Sequence, residues 1–558
     1  MRGRHFGAPL RGYLIVALWA ALTHGLLLIN DGVYWDGWLI HNFLMEGDWG
    51  ALYRLYYQYG SPWQAYEHWF MRVLPSVKLT YRLVEFGGLL VFALALFAIL
   101  NETKIISPVE RFWVTLLTIS YPAFQILVSQ VTATNLGLSN PLLLLAVLAA
   151  LKGEQFAGKT HVGYRVLSLL LFVFCFMGMD YYLVFYFGFL LFLALYARWQ
   201  RSMPLKGLLV YAVHRLDYAL LPFFYWFVRR SLFPQQGDYA AHYQIGVGSA
   251  SFFAAYLGFA EFMLNQAGIW LLRLLSAPAF WFLLVSGAFV WLYRFFWSSQ
   301  RLDPVSATVH PRSILLFGLA LLVLAIFPFA AAEGRVPKLY GYDIRHAMLM
   351  PLPLALILVG GMRLIFPAKD DRAMSRTAAV ALAVVLLGMT HTTITDYLQW
   401  QARWAKDRAV IAYLDTLPAA QEYTLFWVRD EFLMEEDYYR FYEWAGMFKM
   451  AWGDERRAGI NEAQLAGAFQ NDIGRALAYL RGFARHAYLL ADWDPAGCQA
   501  RLIVRRGDWA QSNAAIAGRY FYYKYLQPGK MNEYLSRLAN VKIEPLFPQP
   551  VQASNCRR

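Results

Sequence analysis

Two carboxylates five positions apart, Asp31 and Asp36, stand in the stretch "NDGVYWDGWLIHNFL" directly after the first long apolar run. Tyr34, Trp35 and Trp38 surround them, as aromatic residues do where a chain leaves a bilayer. An acid at that depth can take a proton from an attacking hydroxyl, whose own pKa lies far above seven. Each also has an ordinary reading. Asn-Asp-Gly is helix-stop chemistry, and an acid at a helix start is favoured by the helix dipole. Asp36 shares a helical face with Ile40 and Phe43, at i, i+4 and i+7, which directs it toward protein or membrane rather than bulk water. Asp180, in "FMGMDYYLVFYFG", is either a turn former or a further acid over the same surface.

Cations form the second group. Arg229 and Arg230 open one segment, and Arg335, Lys338, Arg345 and His346 cluster before the helix "AMLMPLPLAL". Arginines at a membrane surface snorkel, and they also grip phosphate through two parallel N–H bonds. Glu67 and His68 are metal-ligand types, but neighbours on a helix point in different directions.

The elements that must position these groups are membrane helices. Of 558 residues, 59% are hydrophobic and only 16% charged, where a soluble protein carries roughly 25% charged residues. Apolar runs of about 18–22 residues, enough to cross the hydrocarbon core, fall near 12–30, 80–100, 112–130, 134–151, 166–180, 181–197, 216–233, 268–296, 313–332, 346–366 and 376–394. The expectation is a polytopic α-helical membrane protein with about eleven spans. The transmembrane part covers 1–394 and includes a long first external loop, 31–79. Within that loop Leu39, Ile40, Phe43 and Leu44 recur at helical spacing, with His41, Asn42 and Glu46 on the other face. "SPWQAYEHWFMRVL" continues as a second amphipathic, interfacial helix. Segment 229–267 reads as interfacial too.

Lys and Arg set the orientation. Arg2, Arg4, Arg11, Lys104, Arg111, Lys152, Lys159, Arg165, Arg198, Arg201, Lys206, Arg215, Arg294, Arg301, Arg312, Lys369, Arg372 and Arg376 fall on one set of loops. The opposite short turns, around 131–134 and Asp180, carry none. The N-terminus is therefore expected in the cytoplasm, and the C-terminal region outside. The net charge of +13 reflects this bias and points to no nucleic-acid partner. The first apolar run lacks a small-x-small cleavage site and reads as a retained helix rather than a signal peptide.

From about 395 to 558 the composition changes. Amphipathic stretches (Asp396–Asp415, then "YYRFYEWAGMFKMAW") alternate with the strand-like segments "YTLFWV", "AYLLAD" and "ARLIV". A small extracytoplasmic α/β domain is expected, long enough to bury its own core. Cys498 and Cys556 both lie in it, and an oxidising compartment would permit a bridge; Cys175 sits in an apolar helix. No GxxxxGK[ST], no GxGxxG after a strand, no HExxH and no CxxC occurs, which removes the common soluble-enzyme signatures.

Acids and arginines at one membrane surface, in this layout, resemble the GT-C superfamily of membrane glycosyltransferases, such as protein O-mannosyltransferases and bacterial aminoarabinose transferases. The resemblance rests on "YWDGWLIH", with Asp36 in the first external loop, and on "DIRHAMLMPLPLAL", an Arg ahead of a Pro-containing helix. It implies transfer of a sugar from a polyprenyl-phosphate-linked donor to a glycan, lipid or protein acceptor outside the membrane, with inversion, and a setting in the bacterial inner membrane. Asp36 would be the base. Arg345, with His346, Lys338, Arg335, Arg229 or Arg230, would hold the donor phosphate. The family pattern has two adjacent acids or Asp-Glu in the loop, whereas Gly37 follows Asp36, so a divalent metal is neither required nor excluded. An O-antigen polymerase or ligase would place its dominant external loop late in the chain. A flippase or transporter would show mid-span ionisable groups and repeated halves, of which the sequence has few and none.

Overall fold

The computed structural model describes residues 7–132, 137–201, 203–236, 246–276, 287, 290, 309–332, 335–367, 374–432, 439–453, 456–487, 493–494 and 497–546. The protein is mostly helical, with one four-stranded sheet near its C-terminal end.

Among the described residues, five helices are long and apolar enough to cross a membrane: Val77–Thr103, Gly158–Gly178, Tyr181–Trp199, Pro311–Ala331 and Arg376–Asp415. A sixth arises if Pro108–Ser120 and Pro122–Val128, bent by 47°, count as one span. This corrects the expected eleven, for identifiable reasons. Leu10–His24, Ser139–Gly153 and Pro351–Ile365 are apolar but short; at 15 residues a helix is about 22 Å long, against a core of about 30 Å. Span 112–130 breaks at Pro122, which lacks the N–H that a continuous helix needs. Leu216–Leu232 holds Asp217, Pro222, Arg229 and Arg230 and is not apolar enough. The run 268–296 passes mostly outside the described residues. Its start belongs to a 26-residue helix, Ala250–Leu275, which also takes much of the segment expected to lie in the interface.

The first loop folds as three short helices, Gly37–Glu46, Trp49–Gln58 and Trp63–Phe70. Asp48 caps the second by accepting from the Ala51 N–H at 2.9 Å, which satisfies one orphan donor of the first turn. Exposed Tyr57, Tyr66, Phe70 and Val73 give this layer the amphipathic surface expected of it. His41 and Asn42, however, are buried along with the apolar face. The first helix of the loop is enclosed on nearly all sides.

Arg376–Asp415 runs 40 residues without a break, about 60 Å. Its first half is apolar; its second carries Asp396, Trp400, Arg403, Trp404, Lys406 and Asp407, all buried. The expected boundary near 394 falls inside this helix, so membrane part and C-terminal part share one rigid rod. Onto it packs a sheet of order β2-β1-β3-β4, formed by β1 (Tyr423–Asp430), β2 (Ala458–Asn461), β3 (Cys498–Arg506) and β4 (Ala539–Leu546). β1 is parallel to β2 and β3, and β4 is antiparallel to β3. "YTLFWV" and "ARLIV" are strands as expected, whereas "AYLLAD" lies almost wholly outside the described residues. Leu425, Phe426 and Val428 of β1 are fully buried, the near-continuous apolar run that a central parallel strand requires.

Charge fixes the seam. Lys406 donates to Asp430 at 2.5 Å, and Arg403 donates to Glu443 at 2.6 Å, all four side chains being buried. Such pairs add little net stability, but removing one partner strands a buried charge.

Candidate active site

The site grows from the turn after the first helix. A short helix, Leu26–Ile29, follows it, and Asn30 ends that one, its N–H bonding back to the Leu26 and Leu27 carbonyls. Arg82, fully buried on the Val77–Thr103 helix, then gathers the emerging chain. Its Nε donates to the Asn30 carbonyl (2.8 Å), and its terminal nitrogens donate to the carbonyls of Gly32 (2.8 Å) and Val128 (2.7 Å). Glu85 balances the charge at 2.7 Å. Tyr34 donates to the Trp400 carbonyl at 2.7 Å. Trp35 follows with φ +48°, a left-handed conformation that a bulky residue seldom adopts. Its ring lies against Trp400 (4.4 Å between centroids) and Tyr342 (5.1 Å).

This kink sets Asp36 just ahead of the Gly37–Glu46 helix. Asp36 makes no side-chain cap bond to that helix, so the cap role is not what it does here. Its carboxylate instead accepts from the Tyr442 hydroxyl, with Arg440 Nη1 at 3.8 Å and its own side chain 37% exposed. Arg440 also donates to Tyr442 Oη at 3.0 Å. Arg440 and Tyr442 come from the start of the Phe441–Trp452 helix, more than 400 positions along the chain. Burial raises the Tyr442 pKa well above its ordinary value, and the Asp36 charge adds to this. The phenol is therefore a donor and not a competing base.

Arg345 comes from a third segment of the chain. It sits in a 3₁₀ turn, Tyr342–Ala347, with its guanidinium 3.7 Å from the centre of the Tyr342 ring, the ring that also backs Trp35. Among the described residues it has no acid at ion-pair distance. Burial lowers its pKa, but Tyr342, Tyr181 and then Asp36 outweigh burial and hold the charge. His346 is buried beside it, 3.4 Å from Arg345 Nε, and its pKa falls to about 3 through burial and then the Arg345 charge. It is neutral at pH 7, with Nε2 accepting from Arg345 and Nδ1 facing the Val336 carbonyl at 3.5 Å, so it brings a phosphate no charge and backs Arg345 instead. Lys338 is largely exposed, 3.5 Å from Asp343. Arg335 anchors its backbone on the Phe329 carbonyl (3.0 Å) and lowers the His346 pKa through its charge, which puts it in the same neighbourhood.

The remaining candidates are committed elsewhere. Asp180 occupies the turn between two spans, as expected, and is ion-paired with Arg229. Arg229 also donates to Gly60 O (3.2 Å) and Ser61 Oγ (3.0 Å), so it ties the first loop to the bundle. Arg230 lies over Trp226. Asp31 does not end the first helix. It accepts from Tyr520 (3.1 Å), Lys524 (3.1 Å) and Gln401 (3.3 Å), and so pins the Asn513–Leu526 helix of the C-terminal region. Burial pushes its pKa up, but the Lys524 charge and these hydrogen bonds more than offset that, and the carboxyl titrates below its usual range.

His68 is held between Tyr56 (2.5 Å) and Tyr81 (2.7 Å), with both ring nitrogens engaged. Burial raises neighbouring Glu67 to about 7. Among the described residues, no three or more His, Cys, Asp or Glu side chains gather to hold a metal. Asp36 itself faces a cation and a phenol rather than a second carboxylate. That donor set does not fit a divalent ion, and no chemistry below is routed through one. Cys498 is disulfide-bonded and Cys175 is free; Cys556 lies outside the described residues.

Sequence reasoning missed Arg440, Tyr442, Glu443, Trp400 and Arg403. No spacing links them to Asp36; the aromatic run "YYRFYEW" was the only hint. Comparison with protein-family models, curated proteins and solved structures returns no match.

Proposed function

We propose that this is a membrane glycosyltransferase of GT-C type, which moves a sugar from a polyprenyl-phosphate-linked donor to a hydroxyl acceptor on the extracytoplasmic side. One observation carries the reading. A half-exposed carboxylate, Asp36, and an arginine with no acid at ion-pair distance among the described residues, Arg345, share one aromatic-walled site next to apolar helices. The acceptor oxygen attacks the anomeric carbon, the bond from that carbon to the phosphate oxygen breaks, and polyprenyl phosphate leaves. Asp36 takes the acceptor proton through its free oxygen, the other being held by Tyr442. Arg345 carries the charge that builds on the departing phosphate, where a fixed cation acts most strongly, and Arg440 is the second cation within reach. A single displacement inverts the anomeric centre. The side assignment rests on the Lys and Arg bias of the loops.

The test is sugar transfer by purified protein supplied with a lipid-linked sugar. Asp36→Asn keeps size and most hydrogen bonding but cannot accept a proton, and turnover is expected to fall about 10²–10⁴-fold while donor binding holds. Full turnover by a well-folded Asp36→Asn would sink the assignment.

A further inference from the structure

Glu443 is fully buried at the third position of the Phe441–Trp452 helix and works on three fronts. Its Oε1 accepts from the Trp35 backbone N–H at 3.2 Å and from Arg403 at 2.6 Å. Its Oε2 accepts from the Arg440 backbone N–H at 2.9 Å. One carboxylate thus holds both chain segments that meet at Asp36: the kinked backbone just before it, and the helix start that delivers Arg440 and Tyr442.

A left-handed tryptophan persists only where its surroundings over-determine it. Here the ring is clamped by Trp400 and Tyr342, and Arg403 lies 5.5 Å from the ring centre. The Trp35 backbone N–H donates to Glu443. We infer that Glu443 is a positioning residue, which locks the left-handed Trp35 so that the Asp36 carboxylate stays on the Tyr442 hydroxyl. The inference deepens the reading of Asp36 as the base and rests on it for its functional meaning. Its geometric content stands alone.

The consequence is measurable without knowing the sugar. If Glu443 keeps Asp36 on the Tyr442 hydroxyl, loosening Glu443 releases the carboxylate and makes it more reactive. The readout is the rate, at one fixed pH, of Asp36 modification by a water-soluble carbodiimide and an amine, followed by peptide mass analysis of the full-length protein in detergent. Tyr442→Phe removes the bond directly and calibrates the rate, which is expected to rise several-fold.

Glu443→Asp keeps the charge opposite Arg403 but falls one methylene short of the Trp35 N–H. Glu443→Gln must turn an amide N–H toward a donor on one of its sides. Either is expected to raise the modification rate by at least half the Tyr442→Phe increase, at a melting temperature that shows a folded protein. A role limited to stability would lower the melting temperature and leave the rate alone. A wild-type rate in whichever Glu443 variant folds overturns the proposal. If the rates rise but Asp36→Asn still transfers sugar, the positioning stands and the base assignment falls. If Asp36→Asn is inactive and the Glu443 variants keep the wild-type rate, the reverse holds.

Discussion

Asp31 offers the sharpest test of how the C-terminal region is attached. Asp31→Asn removes the charge that Lys524 faces and weakens the bonds from Tyr520 and Gln401. Hydrogen bonds to charged groups contribute roughly 1.5–3 kcal/mol. Lys524 and Asp31 are each about a quarter exposed, 26% and 28%, so screening discounts the ion pair, and a loss of about 1–2 kcal/mol is expected in the docking of the Asn513–Leu526 helix. That corresponds to about a 5–30-fold change in the open population. Amide hydrogen exchange on the full-length protein reads it as faster exchange across 513–526, with 158–178 unchanged as an internal reference. The sign with pH follows from the depressed carboxyl. Its contribution is complete above the ordinary aspartate value of about 4, and it fades as pH falls through the still lower folded value. Exchange in the wild-type protein should thus show no Asp31-dependent step between pH 5 and 8. If exchange at 513–526 is the same in Asp31→Asn and wild type, the pin is not an anchor.

Three further outcomes are expected. Arg345→Ala should weaken binding of a polyprenyl phosphate by about 10–150-fold, from roughly 1.5–3 kcal/mol, and Arg345→Lys should recover only part because an ammonium lacks the planar fork; unchanged binding in a folded alanine variant would leave Arg345 a stacking residue. Reporter fusions should put residue 160 in the cytoplasm and residue 450 outside, and finding both on one side would overturn the orientation. A non-reducing peptide map should show Cys498 linked to Cys556, a closure that stabilises by roughly 4 kcal/mol in the chain-entropy account; a free Cys498 thiol in protein from an oxidising compartment would refute it.

Asp36 and Arg345 were legible as candidates because each is a charged side chain where apolar sequence gives way to polar, a local signal. The number of spans was less legible. Hydropathy measures apolar length, and it cannot see that Pro122 bends one run or that Ser139–Gly153 stops short of a membrane's thickness. Asp31 was misread because Asn-Asp-Gly suggests a helix stop. In the structure Asn30 already ends the helix, and the acid is free to bind a helix starting at residue 513. Arg229 and Asp180 were each read alone, whereas the fold sets them against each other. In every such case the deciding partner is distant in sequence, and no periodicity encodes it.

The same distance explains why the site spans two regions. Asp36 belongs to the loop that precedes the Val77–Thr103 helix, yet its hydrogen bond, its nearby cation and the clamp on its backbone come from residues 440–443. Those residues are held by Arg403, on the far half of the helix that starts at Arg376 in the bundle. A displacement of the sheet along that helix would move Tyr442 and Glu443 together and take both restraints from Asp36 at once. The C-terminal region is thus part of the site's geometry and not an appended module. A chain ending at 394 would take Trp400 and Glu443 from Trp35 and Tyr442 and Arg440 from Asp36, so the restraints that aim the carboxylate would be lost and Asp36 would point wherever the relaxed loop carried it.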